Sequence, residues 1–323
     1  MVIHCGDLTK RSSIEEYRAT VALLRAARAP VKIAIAGNHD VSLHESYYRE
    51  RMASAPKDDR PDFGWLFRHV ASPRDAAALV SSADDITYLV EGTRDFKLPN
   101  GARLRVYTSP WTPSYGGWAF QYMGPRTFDV PSDADVAVTH GPPRGVLDFA
   151  SNGDHAGCEH LFRAVEKARP RIHCFGHIHE AWGAYYGHWA EEEDGAAGAE
   201  ESGPRASFSS SSTGSVRSVG SAPPQVPPAK TMRHFDAEKS RTLEDISMIK
   251  LDGLHDSHEV MTEKKERYEK YSAQGCRTVD VTPEGGTPVE KGRQTMFLNA
   301  AILDRRYKIG QFPWMVEIDL PRA

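Results

Sequence analysis

The 323-residue sequence predicts a mixed α/β fold. Two observations carry that expectation. Residues 2–5, a helically spaced stretch ending near Arg28, and residues 31–36 read as strand, helix and strand within about 35 residues, the pattern of a βαβ unit with a parallel sheet. Further along, residues 96–98 and 104–108 flank Asn100-Gly101, a pair that favours a tight antiparallel hairpin turn.

The elements follow in order. Residues 2–5 form a short buried strand that runs directly into Gly6-Asp7. Ser12 and Ser13 followed by Glu15 and Glu16 mark a helix start, and Ile14, Tyr17, Val21 and Leu24 give its apolar stripe. Pro30 closes that helix, and residues 31–36 are an apolar strand interrupted only by Lys32. Residues 86–90, 96–98, 104–108 and 136–139 read as strands. Residues 157–169 read as a helix with Leu161, Phe162 and Val165 on one face, and 172–175 as the next strand. Residues 191–229 open with Glu191, Glu192, Glu193 and Asp194 and continue rich in Ser, Gly and Pro, so this stretch is expected to be disordered. Glu263/Arg267 and Glu266/Lys270 are four apart and predict a charged helix over 256–272. Residues 296–302 and 314–320 read as closing strands. The expected body is therefore split, 1–189 and 277–323, around an insertion at 190–276.

Composition limits the classes of function. There is no run of 18 apolar residues, so no membrane span is expected. Cys5, Cys158, Cys174 and Cys276 lie far apart without a Cys-x-x-Cys pair, which argues against a zinc ribbon and suits a reducing, cytoplasmic setting. The net charge of -4 gives no broad nucleic-acid footprint. Nothing in the sequence fixes an oligomeric state.

The chemistry sits in short motifs at strand ends: Gly6-Asp7, Gly37-Asn38-His39-Asp40, His140-Gly141 and Gly176-His177-Ile178-His179. Ligands of α/β sheets bind at the carboxyl ends of strands. A set of carboxylate, amide and imidazole donors without thiolate suits Mn, Fe, Zn or a similar divalent ion. His177 and His179, two apart, would point the same way in an extended segment. Trp111, Tyr115 and Trp118 lie in a Pro/Gly-rich loop, where they either pack loop to core or line a pocket. His4, His155 and His160 read as structural.

These blocks, in this order, resemble the calcineurin-like metallophosphoesterase superfamily. Gly6-Asp7-Leu8-Thr9, Ser109-Pro110-Trp111, Thr139-His140-Gly141-Pro142-Pro143, His177-Ile178-His179-Glu180 and Asn299-Ala300-Ala301 are similar to its foetal-brain-type metallophosphoesterase-domain branch. The resemblance implies a two-layer β-sandwich flanked by helices. It implies a hydrolase that opens a phosphoester with metal-activated hydroxide, and the branch points to a small phosphodiester such as a cyclic nucleotide. Asp7 would bridge two ions. Asn38, His140 and His177 would complete one, and His179 would bind the other. His39 would face the phosphate as proton donor, with Asp40 orienting it. A helix N-cap is the alternative for Asp40.

The family pattern also has an Asp-x-His block on a strand before Gly6-Asp7, and this sequence starts inside what would be the second strand. The residues present suffice for one ion. The expectation is a misplaced start and a longer natural protein. The alternative is a truncated, non-catalytic metal-binding or scaffold protein.

Overall fold

The computed structural model describes residues 1–54, 69–82, 85–191, 228–251, 256–304 and 307–322. Strand β1 (Val2–His4) pairs in parallel with β2 (Lys32–Ala34), and β2 with β3 (Thr87–Tyr88). Helix α1 (Ile14–Ala26) joins the first two strands and completes the βαβ unit. It starts as its sequence predicts: Ser13 accepts the N–H of Glu16 while Glu16 reaches back, a capping box.

The second sheet has seven strands in the order β11-β10-β13-β9-β8-β5-β4. β4 (Gly92–Lys97) and β5 (Arg103–Ser109) form the hairpin across Asn100-Gly101, with Gly101 at φ 82. β5, β8 (Val136–Thr139), β9 (Ile172–Phe175) and β13 (Gln294–Asn299) run parallel. β10 (Gly183–His188) is antiparallel to β13 and to the edge strand β11 (Arg241–Asp245). Two small parallel ribbons complete the strands: β6 (Thr112–Pro113) with β7 (Gln121–Tyr122), and β12 (Arg277–Asp280) with β14 (Trp314–Glu317).

Alternation along the strands assigns the faces. Ile33 and Ile35 meet Leu104, Val106, Val136, Val138 and Leu298 in the core between the sheets. On the opposite face of the large sheet, Phe175 and Phe297 pack on Leu161, Phe162 and Val165 of helix α4 (Glu159–Ala168). The outer face of the small sheet, through Ala34, covers Tyr17, Val21 and Leu24 of α1 and Ala76 and Val80 of α3 (Pro73–Ser81). Helix α2 (Glu45–Ser54) lies between α1 and α3 in sequence. The molecule is thus the expected β-sandwich with helices on its outer faces.

The stretch 190–276 holds structure that the sequence reading missed. Residues 192–227, which contain nearly all of the segment expected to be disordered, lie outside the described residues. Beyond them come a short helix α5 (Ala229–Met232), the core residue Phe235 and strand β11. Helix α6 (His258–Gln274) appears where charge spacing predicts it, but Arg267 is drawn away from Glu263 to Glu244 of β11, at 3.5 Å. Glu244 is buried and also accepts from Arg277 Nε at 3.1 Å and from the Tyr271 hydroxyl. No helix among the described residues is long and apolar enough to cross a membrane.

Candidate metal centre

Four strand ends converge at one end of the sandwich. β1 delivers Asp7, β2 delivers Asn38 and His39, β8 delivers His140 and β9 delivers His177. Close approach is possible because two positions carry no side chain. A Cβ on Gly37 would sit 2.3 Å from Asp7 Oδ1 and 2.4 Å from its backbone nitrogen. A Cβ on Gly6, itself at φ 95, would sit 2.4 Å from His140 Nδ1. Asp7 and His177 adopt left-handed backbone conformations, φ 55 and 68, that L side chains rarely take. Strained non-glycine residues of this kind cluster at functional sites.

Donor atoms of Asp7, His140 and His177 all lie within 4.8 Å of one another. His140 is fully buried and oriented from behind. Its Nδ1 lies 2.9 Å from the carbonyl oxygen of Cys5, which can only accept, so the ring carries its proton there. In the neutral ring, Nε2 then offers a lone pair to the site. Asn38 Oδ1 stands 2.9 Å from that nitrogen and Asp7 Oδ1 stands 3.4 Å from it. Three electron-rich atoms facing one another repel unless a cation lies among them. Atoms bound to one ion at about 2.0–2.2 Å, at right angles, are about 3 Å apart. The donors therefore fit a divalent ion in both chemistry and spacing.

The electrostatics agree. Burial opposes the charge of Asp7, but His140, then His39 and His177, with the His39 N–H, hold its pKa below the usual carboxylate value. Burial, reinforced by His140, lowers His177 to about 3, so it is a neutral donor.

Other predicted site residues lie differently. His39 donates its backbone N–H to Asp7 Oδ1 at 2.9 Å, and its Nδ1 pairs with the Lys10 carbonyl oxygen at 2.9 Å. That pairing corrects the role expected of Asp40, which does not hold the His39 ring. Nor does Asp40 cap the 3-10 turn Val41–Leu43 through its side chain. Its carboxylate instead accepts the backbone N–H groups of Leu8, Thr9 and Gly37, clamping the Asp7 loop to the Asn38 loop. Such bonds to backbone leave no trace in a sequence motif.

The histidine pair is also corrected. His177 is left-handed and His179 opens a 3-10 turn, His179–Ala181, so the segment is not extended. His179 is outside the donor cluster. Its Nδ1 lies 3.2 Å from the Asp304 carbonyl oxygen and its ring packs edge-on against Tyr307, centroids 5.4 Å apart. Sequence reasoning missed Tyr307, which also meets the ring of His39 at 5.9 Å. Trp111 packs into the core on Phe120, Tyr115 is exposed, and Trp118 lies against His39. His155 pairs with the buried carboxylate of Asp148 at 2.6 Å.

Carboxylate, amide and imidazole donors gathered at the strand ends of a β-sandwich make a candidate divalent-metal site. The chain belongs to the calcineurin-like phosphoesterase family, whose profile matches residues 1–181. Members of this family are metal-dependent phosphoester hydrolases.

Similarity to individual proteins covers the same region. "Probable rhamnogalacturonate lyase C" of Emericella nidulans is 34% identical over 190 residues, which make up 57% of this chain and 16% of that protein. "Metallophosphoesterase domain-containing protein 1" of Homo sapiens and that of Mus musculus are each 30% identical over 190 residues, 57% of this chain and 55% of theirs. The chain thus spans about half the length of the two mammalian relatives and far less of the fungal one. The mammalian matches agree with the branch read from the motifs.

Proposed function

We propose that the chain is a metal-dependent phosphodiesterase acting on a small diester such as a cyclic nucleotide, in the cytoplasm. One observation carries this reading: Asp7, His140 and His177 converge within 4.8 Å while His39 is anchored on Asp7. A divalent ion such as Mn, Fe or Zn, held by Asp7, Asn38, His140 and His177, would supply Lewis acidity and lower the pKa of bound water. The chain's residues do the rest. Asp7 is the one carboxylate in the donor set, and neutral Asn38, His140 and His177 leave net positive charge to attract a phosphate. With the His39 ring doubly protonated, Nδ1–H donates to the Lys10 carbonyl oxygen and Nε2–H would give its proton to the leaving oxygen as general acid. Asp40 fixes the two loops.

A second reading, a non-catalytic metal-binding protein, is favoured by the position of His179 outside the donor cluster. Metal analysis and turnover separate the two. On the first reading, purified protein loaded with Mn hydrolyses bis(4-nitrophenyl) phosphate, a chelator abolishes this, and Asp7→Asn loses both metal and activity. Bound metal at a ratio near one with no hydrolysis of any phosphodiester leaves only the second reading standing.

A further inference from the structure

Lys10 meets the site through both its main chain and its side chain. Its carbonyl oxygen lies 2.9 Å from His39 Nδ1. Its ammonium sits over the ring of Tyr307, 4.2 Å from the centroid. The same ring meets those of His39, at 5.9 Å, and His179, at 5.4 Å, both edge-on. This aromatic seat is fixed by its own turn. The Tyr307 N–H donates to the Asp304 carbonyl oxygen at 2.9 Å, and the Lys308 N–H donates to Asp304 Oδ1 at 2.9 Å. Tyr307 holds the seat in a left-handed conformation, φ 56, that a residue with a side chain adopts only at a cost. No carboxylate pairs with the Lys10 ammonium among the described residues. A surface lysine normally swings freely through solvent on its flexible stem, whereas here a π face restrains it. Lys10 is thus a positioned cation without a protein anion to neutralise it, and it shares a ring with the group read as the general acid.

We propose that Lys10 binds a second anionic group of the substrate, carried by the leaving alcohol beyond the scissile phosphate. This rests on reading His39 as the acid: the leaving oxygen takes its proton from Nε2, so the rest of the leaving group lies beside Tyr307 and Lys10. The metal centre supplies positive charge for the scissile phosphate, which leaves the charge of Lys10 for a second group. An ammonium is a point charge with three donors and takes either a carboxylate or a phosphate, so the shared chemistry is an oxyanion. A neutral leaving group reaches His39 but brings no partner for Lys10. Lys10 is exposed, so the contact is modest in strength and weakens with salt.

Calorimetric titration of Mn-loaded protein tests the contact without turnover. The ligands are butylphosphonate, 4-phosphonobutyrate and propane-1,3-diphosphonate, which share a phosphonate head and differ in charge at the far end. At least one of the two doubly anionic ligands is expected to bind about ten-fold tighter than butylphosphonate. Lys10→Met keeps the carbonyl oxygen that holds His39 and should erase that margin, while Lys10→Arg should keep most of it. Tyr307→Leu removes the π face and should cut the margin by about three-fold. A margin confined to 4-phosphonobutyrate names a carboxylate as the second group, and one confined to the diphosphonate names a phosphate. A margin supplied by the metal alone survives Lys10→Met, and that result, like the absence of any margin, overturns the proposal. Turnover is read separately, on methyl phenyl phosphate and on methyl 3-carboxyphenyl phosphate, whose leaving phenols are of similar acidity. The carboxylate ester should have the higher kcat/KM, by about ten-fold, and Lys10→Met should remove that preference. Equal kcat/KM on the two esters overturns the placing of the second group on the leaving side. A binding margin that Lys10→Met erases, with no hydrolysis of either ester, removes the phosphodiesterase reading and leaves the oxyanion contact standing.

Discussion

Asp40 Oδ1 accepts both the backbone N–H of Thr9, at 3.0 Å, and the Thr9 hydroxyl, at 2.8 Å. Oδ2 takes the N–H groups of Leu8 and Gly37, at 3.0 and 2.8 Å. One buried side chain thus fastens the loops that carry Asp7 and Asn38. Burial and then the charge of Asp7 push the pKa of Asp40 up to about 7, and the four donors offset that cost.

Asp40→Ala strands those donors in the interior, where each unsatisfied group costs about 1–3 kcal/mol. The variant is expected to lose about 3–4 kcal/mol of stability. Asp40→Asn keeps one acceptor oxygen and should lose less. Urea denaturation of metal-free protein measures both, and equal losses would show that the clamp is not the source.

Gly37→Ala drives a methyl group into Asp7, whose carboxylate and backbone nitrogen stand in its way. Metal binding should drop sharply, as read by titration with Zn or Mn. The control is Gly286→Ala, at a glycine with nothing within 4 Å of the added carbon and no positive φ. It should leave metal affinity unchanged.

His39→Ala keeps the backbone N–H that holds Asp7, so metal content should be preserved. Turnover should fall by roughly 10²–10⁴-fold, the range for a lost general acid. The fall should be smallest for nitrophenyl esters, whose leaving group needs no proton, and largest for alkyl esters. Equal losses on the two, or loss of metal, would remove His39 from the acid role.

His173 is fully buried in the large sheet, and burial lowers its pKa to about 3. A histidine whose folded pKa is depressed favours the folded state above its unfolded value, near 6.5, and that contribution is lost as pH falls toward 3. Below about pH 6 the cost approaches 1.4 kcal/mol per pH unit. His173→Phe should flatten the decline in stability between pH 7.5 and 5.5 by about 1.4 kcal/mol. Thr139, which pairs with the ring at 2.9 Å, keeps the Gly141 carbonyl oxygen as a partner. Parallel stability curves for the two proteins would contradict this assignment.

The donor cluster is readable because each donor follows a short, mostly apolar strand and is flanked by glycine. Those signals are local. The βαβ start is readable for the same reason, as is the Asn100-Gly101 hairpin. Strand β11 is not. Its sequence, Arg-Thr-Leu-Glu-Asp, has one apolar residue, Leu243, and its place depends on pairing with β10 and on partners of Glu244 far along the chain. The clamp by Asp40 is hidden because backbone donors carry no residue identity. Tyr307 is hidden because 268 positions separate it from His39, with which only the fold brings it into contact.

The left-handed backbone at Asp7 and His177 has an evolutionary corollary. Each such residue carries about 1–2 kcal/mol of strain that a glycine would not. Selection for folding alone would therefore replace both with glycine, and such a chain would be sturdier and unable to ligate metal. Aspartate and histidine at these two positions therefore cost this chain durability. Among descendants of this gene, relaxation at these two positions would be an early mark of a copy released from its chemistry, visible before any loss of the surrounding sheet.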